Sequence, residues 1–189
     1  MNRCSWCMKD ELYRTYHDTE WGVPVFDDRL FFEHLVMEVS QAGLSFYTIL
    51  QKREHYRAVL DDFDYEKIAL YNPDYIEALM QDDGLIRNRK KLESIVHNAQ
   101  IFMQIQKQHG SFSNYIWAFT EGQQIVNHYE TEKEIPAVTE LSTRVSKQMK
   151  KDGFKFIGPT SMYAFLQATG IINDHIVSCH RYHEVMLEK

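Results

Sequence analysis

Cysteine is scarce in this chain. Three residues among 189, Cys4, Cys7 and Cys179, cannot complete a disulfide framework, and so few thiols suit metal or free-thiol roles in a reducing compartment. Long apolar runs are also missing: none approaches the roughly 20 residues needed to cross a bilayer. The opening segment MNRCSWCMKDELYRTYHD is polar and aromatic, without the apolar stretch of a signal peptide, so the expected location is the cytoplasm and no membrane partner is expected. Excess positive charge is absent too. A formal charge of −6 argues against a protein that coats nucleic acid by bulk attraction. It leaves room for local basic patches, and two occur: Arg87, Arg89, Lys90 and Lys91, then Lys147, Lys150, Lys151 and Lys155. Charge alone reads either one as a solvated helix face. There is no internal repeat, no low-complexity tract and almost no strict polar–apolar alternation, which leaves little for a sheet.

What is present is helical. With 44% apolar residues, residues 1–189 can bury a proper core as a single domain, without a metal merely to reach folding size. Asp27 and Asp28 can cap a helix carrying Leu30, Phe31, Leu35, Val36 and Val39. Ser45 can cap a second that begins at Phe46, and Asn72-Pro73 starts a third. A long stripe of Leu92, Ile95, Val96, Ala99, Phe102 and Met103 stops near Gly110. Ser111 opens a segment with Phe112, Tyr115, Ile116 and Phe119. Residues 121–138 read as a long connection. Leu141, Val145 and Met149 mark a helix ended by Gly153, and residues 159–169 and 173–180 read as two short helices around Gly170. The expected fold class is all-α.

Cys4 and His17 lie near one end of the chain, His175 and Cys179 near the other. On a helix, an i, i+4 pair shares one face with Cβ atoms about 5–6 Å apart, so His175 and Cys179 could grip one ion. Two thiolates and two imidazoles make a closed tetrahedral shell of the kind that holds structural zinc. Competing ligands stand nearby: Cys4 and Cys7 form a C-x2-C pair, and His180 and His183 are further imidazoles. Spacing alone leaves the choice open.

Glu38 follows Phe31 and Leu35 by seven and three residues, which places it on the apolar stripe of its helix. A carboxylate there is uncommon unless it has a partner or a task. Trp6, Tyr13, Tyr16 and Trp21 fall within sixteen residues, a density suited to a stacking box for a planar cation.

Taken together, Arg3-Cys4-Ser5-Trp6, the run from Tyr13 to Pro24, Gln41 to Ser45, Gly153 to Gly158 and Asn173 to Cys179 resemble the DNA-3-methyladenine glycosylase I family, in order and over nearly the whole chain. The resemblance implies a zinc-containing helical bundle of the helix-hairpin-helix superfamily that removes 3-methyladenine from alkylated double-stranded DNA as a monomer. It places the zinc ligands at Cys4, His17, His175 and Cys179, with Cys7 outside the set. The zinc then ties residues 1–21 to residues 173–183. It makes Glu38 the group that accepts hydrogen bonds from the flipped base, with a general-base role as an alternative. Tyr16 becomes a pocket wall, with Trp6, Tyr13 and Trp21 lining or supporting it. At position 46 the family usually has tryptophan. Phe46 keeps a stacking face with a smaller ring and a weaker cation–π attraction.

The same resemblance places the hairpin at about residues 146–170, with Phe156-Ile157-Gly158-Pro159-Thr160 at its turn. A turn feeding a helix N-terminus offers backbone N–H groups to a phosphate, and Gly158 permits close approach. Gln41, Gly43 and Leu44 form a candidate wedge, Leu44 being apolar and set to fill the gap left by a flipped nucleotide. Asp174 lies where superfamily relatives carry a catalytic aspartate, yet its place beside His175 points to a supporting role. Two rival functions remain on the residues alone: a non-catalytic module that recognises damaged DNA, and a zinc hydrolase. The second is disfavoured by a shell with no open position and by the lack of an H-E-x-x-H motif.

Overall fold

The computed structural model describes residues 1–187. Its helices are α1 (Glu11–Thr19), α2 (Asp28–Gln41), α3 (Phe46–Val59), α4 (Tyr65–Ile68), α5 (Pro73–Met80), α6 (Arg89–His109), α7 (Phe112–Trp117), α8 (Glu140–Lys151), α9 (Pro159–Ala168) and α10 (Arg181–Glu184). Two two-residue strands, β1 (Ile125–Val126) and β2 (Ile172–Asn173), pair in parallel, Ile125 opposite Ile172. The all-α expectation holds. Helix starts obey capping chemistry: the side chains of Asp10, Asp27, Ser45, Asn72, Asn88, Ser111 and Thr139 each accept a backbone N–H in the first turn that follows. Among the described residues no helix is long and apolar enough to cross a membrane.

α2 is the axis of the molecule, with α3, α6, α7 and α9 packed against it. Every residue from Phe31 to Ser40 is buried, more than the single apolar stripe read from the sequence requires. A helix covered on all sides must satisfy its polar residues internally. Glu33 is met by Arg53 and Arg57, both at 2.6 Å. Glu38, in the last turn, is buried with the rest. The end of the helix is closed by Lys91, whose Nζ donates to the carbonyls of Ser40 at 2.9 Å and Ala42 at 2.5 Å. Lys91 therefore leaves the solvated basic cluster expected at 87–91: α6 turns it inward, where it supplies the cation that unpaired C-terminal carbonyls favour.

α8 and α9 form a helix–turn–helix pair joined by residues 152–158. α6 braces the turn. The Asn98 amide donates to the Lys155 carbonyl at 3.0 Å and accepts its N–H at 2.9 Å, and the Ser146 hydroxyl donates to the Ile157 carbonyl at 2.6 Å. Phe156 is left-handed, with φ of 58°, and partly exposed.

The C-terminal segment departs from expectation. Residues 173–180 are not a helix: β2 pairs with β1, and the chain then runs extended into a turn closed by the Cys179 N–H donating to the Ile176 carbonyl at 2.8 Å. The Asn173 side chain explains the change. Its oxygen accepts the His175 N–H at 3.2 Å while its amide donates to the Tyr182 carbonyl at 2.9 Å, a local bond that competes with helix formation. Just before it, Gly170 sits at φ +67°, where a Cβ would lie 2.4 Å from the Val23 and Pro24 backbone. Only glycine lets these two segments cross.

Candidate functional site

The two chain ends meet in a buried cluster. Cys4, His17, His175 and Cys179 are all buried, and their ligand atoms lie within 4.8 Å of one another. Cys179 Sγ is 3.5 Å from His17 Nε2 and 3.5 Å from His175 Nδ1, and Cys4 Sγ is 3.7 Å from His175 Nδ1. A tetrahedral shell with metal–sulfur bonds of about 2.3 Å and metal–nitrogen bonds of about 2.0 Å has sulfur–nitrogen edges of about 3.5 Å, so the donor set fits a metal ion. Both imidazoles have their outward nitrogens engaged. His17 Nδ1 is 2.8 Å from Asp18 Oδ1, and His175 Nε2 is 3.0 Å from the Trp21 carbonyl. Such partners fix ring orientation and tautomer. Asp18 is in turn held by Arg3 at 2.9 Å; the Arg3 guanidinium, then His17, keep its carboxyl down to about 2. Cys179 is held well below the ordinary thiol range by the side chains of Cys4, His17 and His175, the thiolate character a ligand needs. Cys7 is buried but turned away, its Sγ donating to the Cys4 carbonyl at 3.1 Å. The i, i+4 helical geometry expected for His175 and Cys179 is replaced by the turn described above, which brings the two side chains to the same point.

Beside this cluster lies a cavity of about 370 Å³ lined by Trp6, Tyr13, Tyr16, Trp21, Glu38, Gln41 and Phe46, together with residues from the 121–138 connection and from α9. The aromatics form a continuous wall: Trp6 stands 4.9 Å from Tyr13 and 5.1 Å from Trp21 between centroids, and Tyr16 stands 5.1 Å from Phe46. α1 does the placing, since Tyr13, Tyr16 and His17 at i, i+3 and i+4 share one face, and that face meets both the cavity and the Cys/His cluster. Polar groups in the lining lack partners. Among the described residues the buried Tyr16 hydroxyl and Gln41 Oε1 have no hydrogen bond. Orphaned buried groups are rare in folded proteins, and around a cavity they mark a place for a ligand.

The family model for methyladenine glycosylases matches residues 6–182. The chain belongs to that family. It is 44% identical over 182 residues to the DNA-3-methyladenine glycosylase 1 of Escherichia coli, covering 96% of this chain and 97% of the relative. It is 45% identical over 177 residues to the DNA-3-methyladenine glycosylase of Haemophilus influenzae, covering 94% and 96%. A solved structure of 3-methyladenine DNA glycosylase I from Staphylococcus aureus superposes with a TM-score of 0.91 at 38% identity, covering 95% of this chain and 96% of that one.

In this methyladenine glycosylase Glu38 is a strongly perturbed group in the cavity wall. Burial raises its carboxyl from the ordinary 4.5 to about 8. Burial, and then the Glu38 carboxyl, also hold the Tyr16 phenol well above its usual value. Of the residues expected to meet DNA, Gln41 lines the cavity. Gly43, at φ +82°, and Leu44, 42% exposed, follow it in the turn between α2 and α3. Gly158 and Thr160 stand at the start of α9, where a Cβ on Gly158 would meet nothing within 4 Å. Sequence reasoning missed the far wall. Ala164, Gln167 and Ala168 reach the cavity from α9, and Glu132 and Ile135 from the supposed connection. Glu132 accepts the Ser5 N–H and hydroxyl, across 127 residues of chain. No local pattern announces such a contact.

Proposed function

We propose that this chain is a monofunctional DNA glycosylase that hydrolyses the N-glycosidic bond of 3-methyladenine in alkylated double-stranded DNA. The observation that carries the reading is a buried carboxyl, Glu38, without a hydrogen-bond partner among the described residues, set in an aromatic cavity with room for a planar base. Methylation at N3 makes adenine a cation. Aromatic faces attract that cation and a carboxylate pairs with it, whereas neutral adenine would leave Glu38 with little compensation for its burial. The damaged nucleotide is extruded from the duplex into the cavity. There Trp6, Tyr13, Tyr16, Trp21 and Phe46 enclose it, Glu38 accepts one hydrogen of its 6-amino group, and the Tyr16 hydroxyl donates to a ring nitrogen. The C1′–N9 bond breaks, its electron pair neutralises the base, water adds to C1′, and the proton that water loses passes to solvent. A strong general acid is unnecessary because the leaving group already carries its charge. Glu38 acts in recognition.

The Cys4, His17, His175 and Cys179 cluster is read as a structural zinc site, one per chain. A metal with four protein ligands keeps no position for water, so it ties the aromatic N-terminal segment to the C-terminal turn and takes no part in bond cleavage. α8, its turn and α9 are read as the helix-hairpin-helix, with the open space at Gly158 and the backbone N–H groups at Thr160 receiving a phosphate. Local contacts of this kind let an acidic protein grip DNA. Leu44 is read as the wedge, with Gln41 and Gly43 shaping its loop.

Incubation with DNA treated with a methylating agent, followed by chromatography of released bases, tests the reading. Free 3-methyladenine is the expected product. Retention on the DNA without release would identify a recognition module instead. Glu38→Gln and Glu38→Ala should each lower release and base binding, and unchanged values in both would remove Glu38 from the site.

A further inference from the structure

Asp174 is fully buried and accepts hydrogen bonds from three side chains: Asn127 Nδ2 at 2.7 Å, the Tyr163 hydroxyl, and Gln167 Nε2 at 2.7 Å. With this many donors converging on it, the carboxylate is engaged in holding side chains, not in attacking a sugar. A carboxylate has no hydrogen to offer, so every neighbour must present a donor to it. That requirement fixes the Gln167 amide. A glutamine amide is ordinarily free to exchange its oxygen and nitrogen by a half turn of its last torsion. Here the half turn would lose the bond to Asp174 and set oxygen against oxygen, so the NH2 stays toward Asp174 and the carbonyl points away from it.

Gln167 lines the cavity, one turn beyond Ala164 on α9, and among the described residues its Oε1 accepts no hydrogen bond. The Gln41 Oε1 is also without a partner. The unpaired amide oxygens around the cavity are therefore acceptors waiting for donors.

On the excision reading above, we infer that Gln167, oriented by Asp174, is a specificity-determining residue that reads the 6-position of the purine. Its carbonyl accepts from the 6-amino group of 3-methyladenine and opposes the 6-oxo group of 3-methylguanine, which has no hydrogen to give. Sites built to hydrogen-bond one group reject an isostere lacking it, because their own polar atoms are then left unpaired. Asp174 is a positioning residue in this arrangement: it touches no base and acts by denying Gln167 its alternative orientation.

DNA methylated with a labelled reagent carries both 3-methyladenine and 3-methylguanine, so one reaction reports release of both. In the wild-type protein 3-methyladenine should be released faster. Gln167→Leu should lower 3-methyladenine release at least about tenfold, the worth of one hydrogen bond from a charged donor, while 3-methylguanine release is maintained or rises. Asp174→Asn keeps Gln167 but gives it a neighbour that both donates and accepts, so the amide can turn and the ratio should narrow in the same direction. If the two rates fall together in Gln167→Leu, or the ratio is unchanged, the inference is overturned. Should Asp174→Asn fail to fold, Gln167→Leu and Gln167→Met decide the matter by the same ratio. A wild-type protein that releases neither base would overturn the excision reading itself, an outcome separate from the others.

Discussion

Replacing Glu38 with glutamine should stabilise the protein, by an amount that depends on pH. Burial raises the carboxyl from 4.5 to about 8, so the folded chain keeps a proton that the unfolded chain releases. Between those two values folding takes up a proton, and stability falls as pH rises. Below the window both states are neutral, and above it both are ionised, so the effect is constant on either side. Each pH unit within the window costs about 1.4 kcal/mol. Relative to the amide, the acid should therefore cost almost nothing near about pH 4, about 3 kcal/mol at about pH 7, and about 5 kcal/mol above about pH 8. Urea unfolding of both proteins at several pH values measures this. Taking the difference at each pH cancels the titration of groups common to both, the buried cysteines and histidines included. A difference that stays flat from about pH 5 to about pH 8 would refute the claim that Glu38 is buried without compensation.

The same raised value shapes activity. If, as proposed, an ionised Glu38 pairs with the cationic base, kcat/KM for base release should climb with pH and level off at about 8, and Glu38→Gln should lose that dependence. Chelation should release one zinc ion per chain and lower both the thermal midpoint and base release; Cys179→Ser should do the same, whereas loss of metal from Cys7→Ser would contradict the ligand set. Phe46→Trp enlarges the stacking face 5.1 Å from Tyr16 and should tighten 3-methyladenine binding a few-fold in calorimetry; weaker binding would place Phe46 in packing alone. Gly170→Ala forces a Cβ against the Val23 and Pro24 backbone at 2.4 Å and at positive φ, and should cost about 3 kcal/mol or more in chemical denaturation.

Much of this protein is written locally. Caps, prolines and apolar spacing act within one or two turns, and Asp27, Ser45, Asn72 and Ser111 begin helices where their side chains reach the next backbone N–H groups. The burial of Glu38 follows from its place after Phe31 and Leu35. The aromatic cluster of residues 6–21, which lines one cavity, was legible because its members are close in sequence. The grouping of Cys4, His17, His175 and Cys179 was legible only through the family resemblance, since spacing alone admitted Cys7, His180 and His183.

Other features were settled by contacts between distant parts of the chain. The segment holding His175 and Cys179 has a helical spacing, but pairing with β1 and the Asn173 side chain bond take its backbone elsewhere, and the two side chains converge through a turn. Lys91 belongs to a basic run in sequence, yet carbonyls fifty residues earlier draw it into the interior. Glu132 and Gln167 complete the cavity from segments whose local pattern shows only a loop and a packed helix. A local signal states what a residue can do within a few ångströms of its own backbone. Which distant group stands opposite it depends on how the helices stack around α2, and for Gln167 that neighbour, Asp174, decides which end of its amide the base can meet.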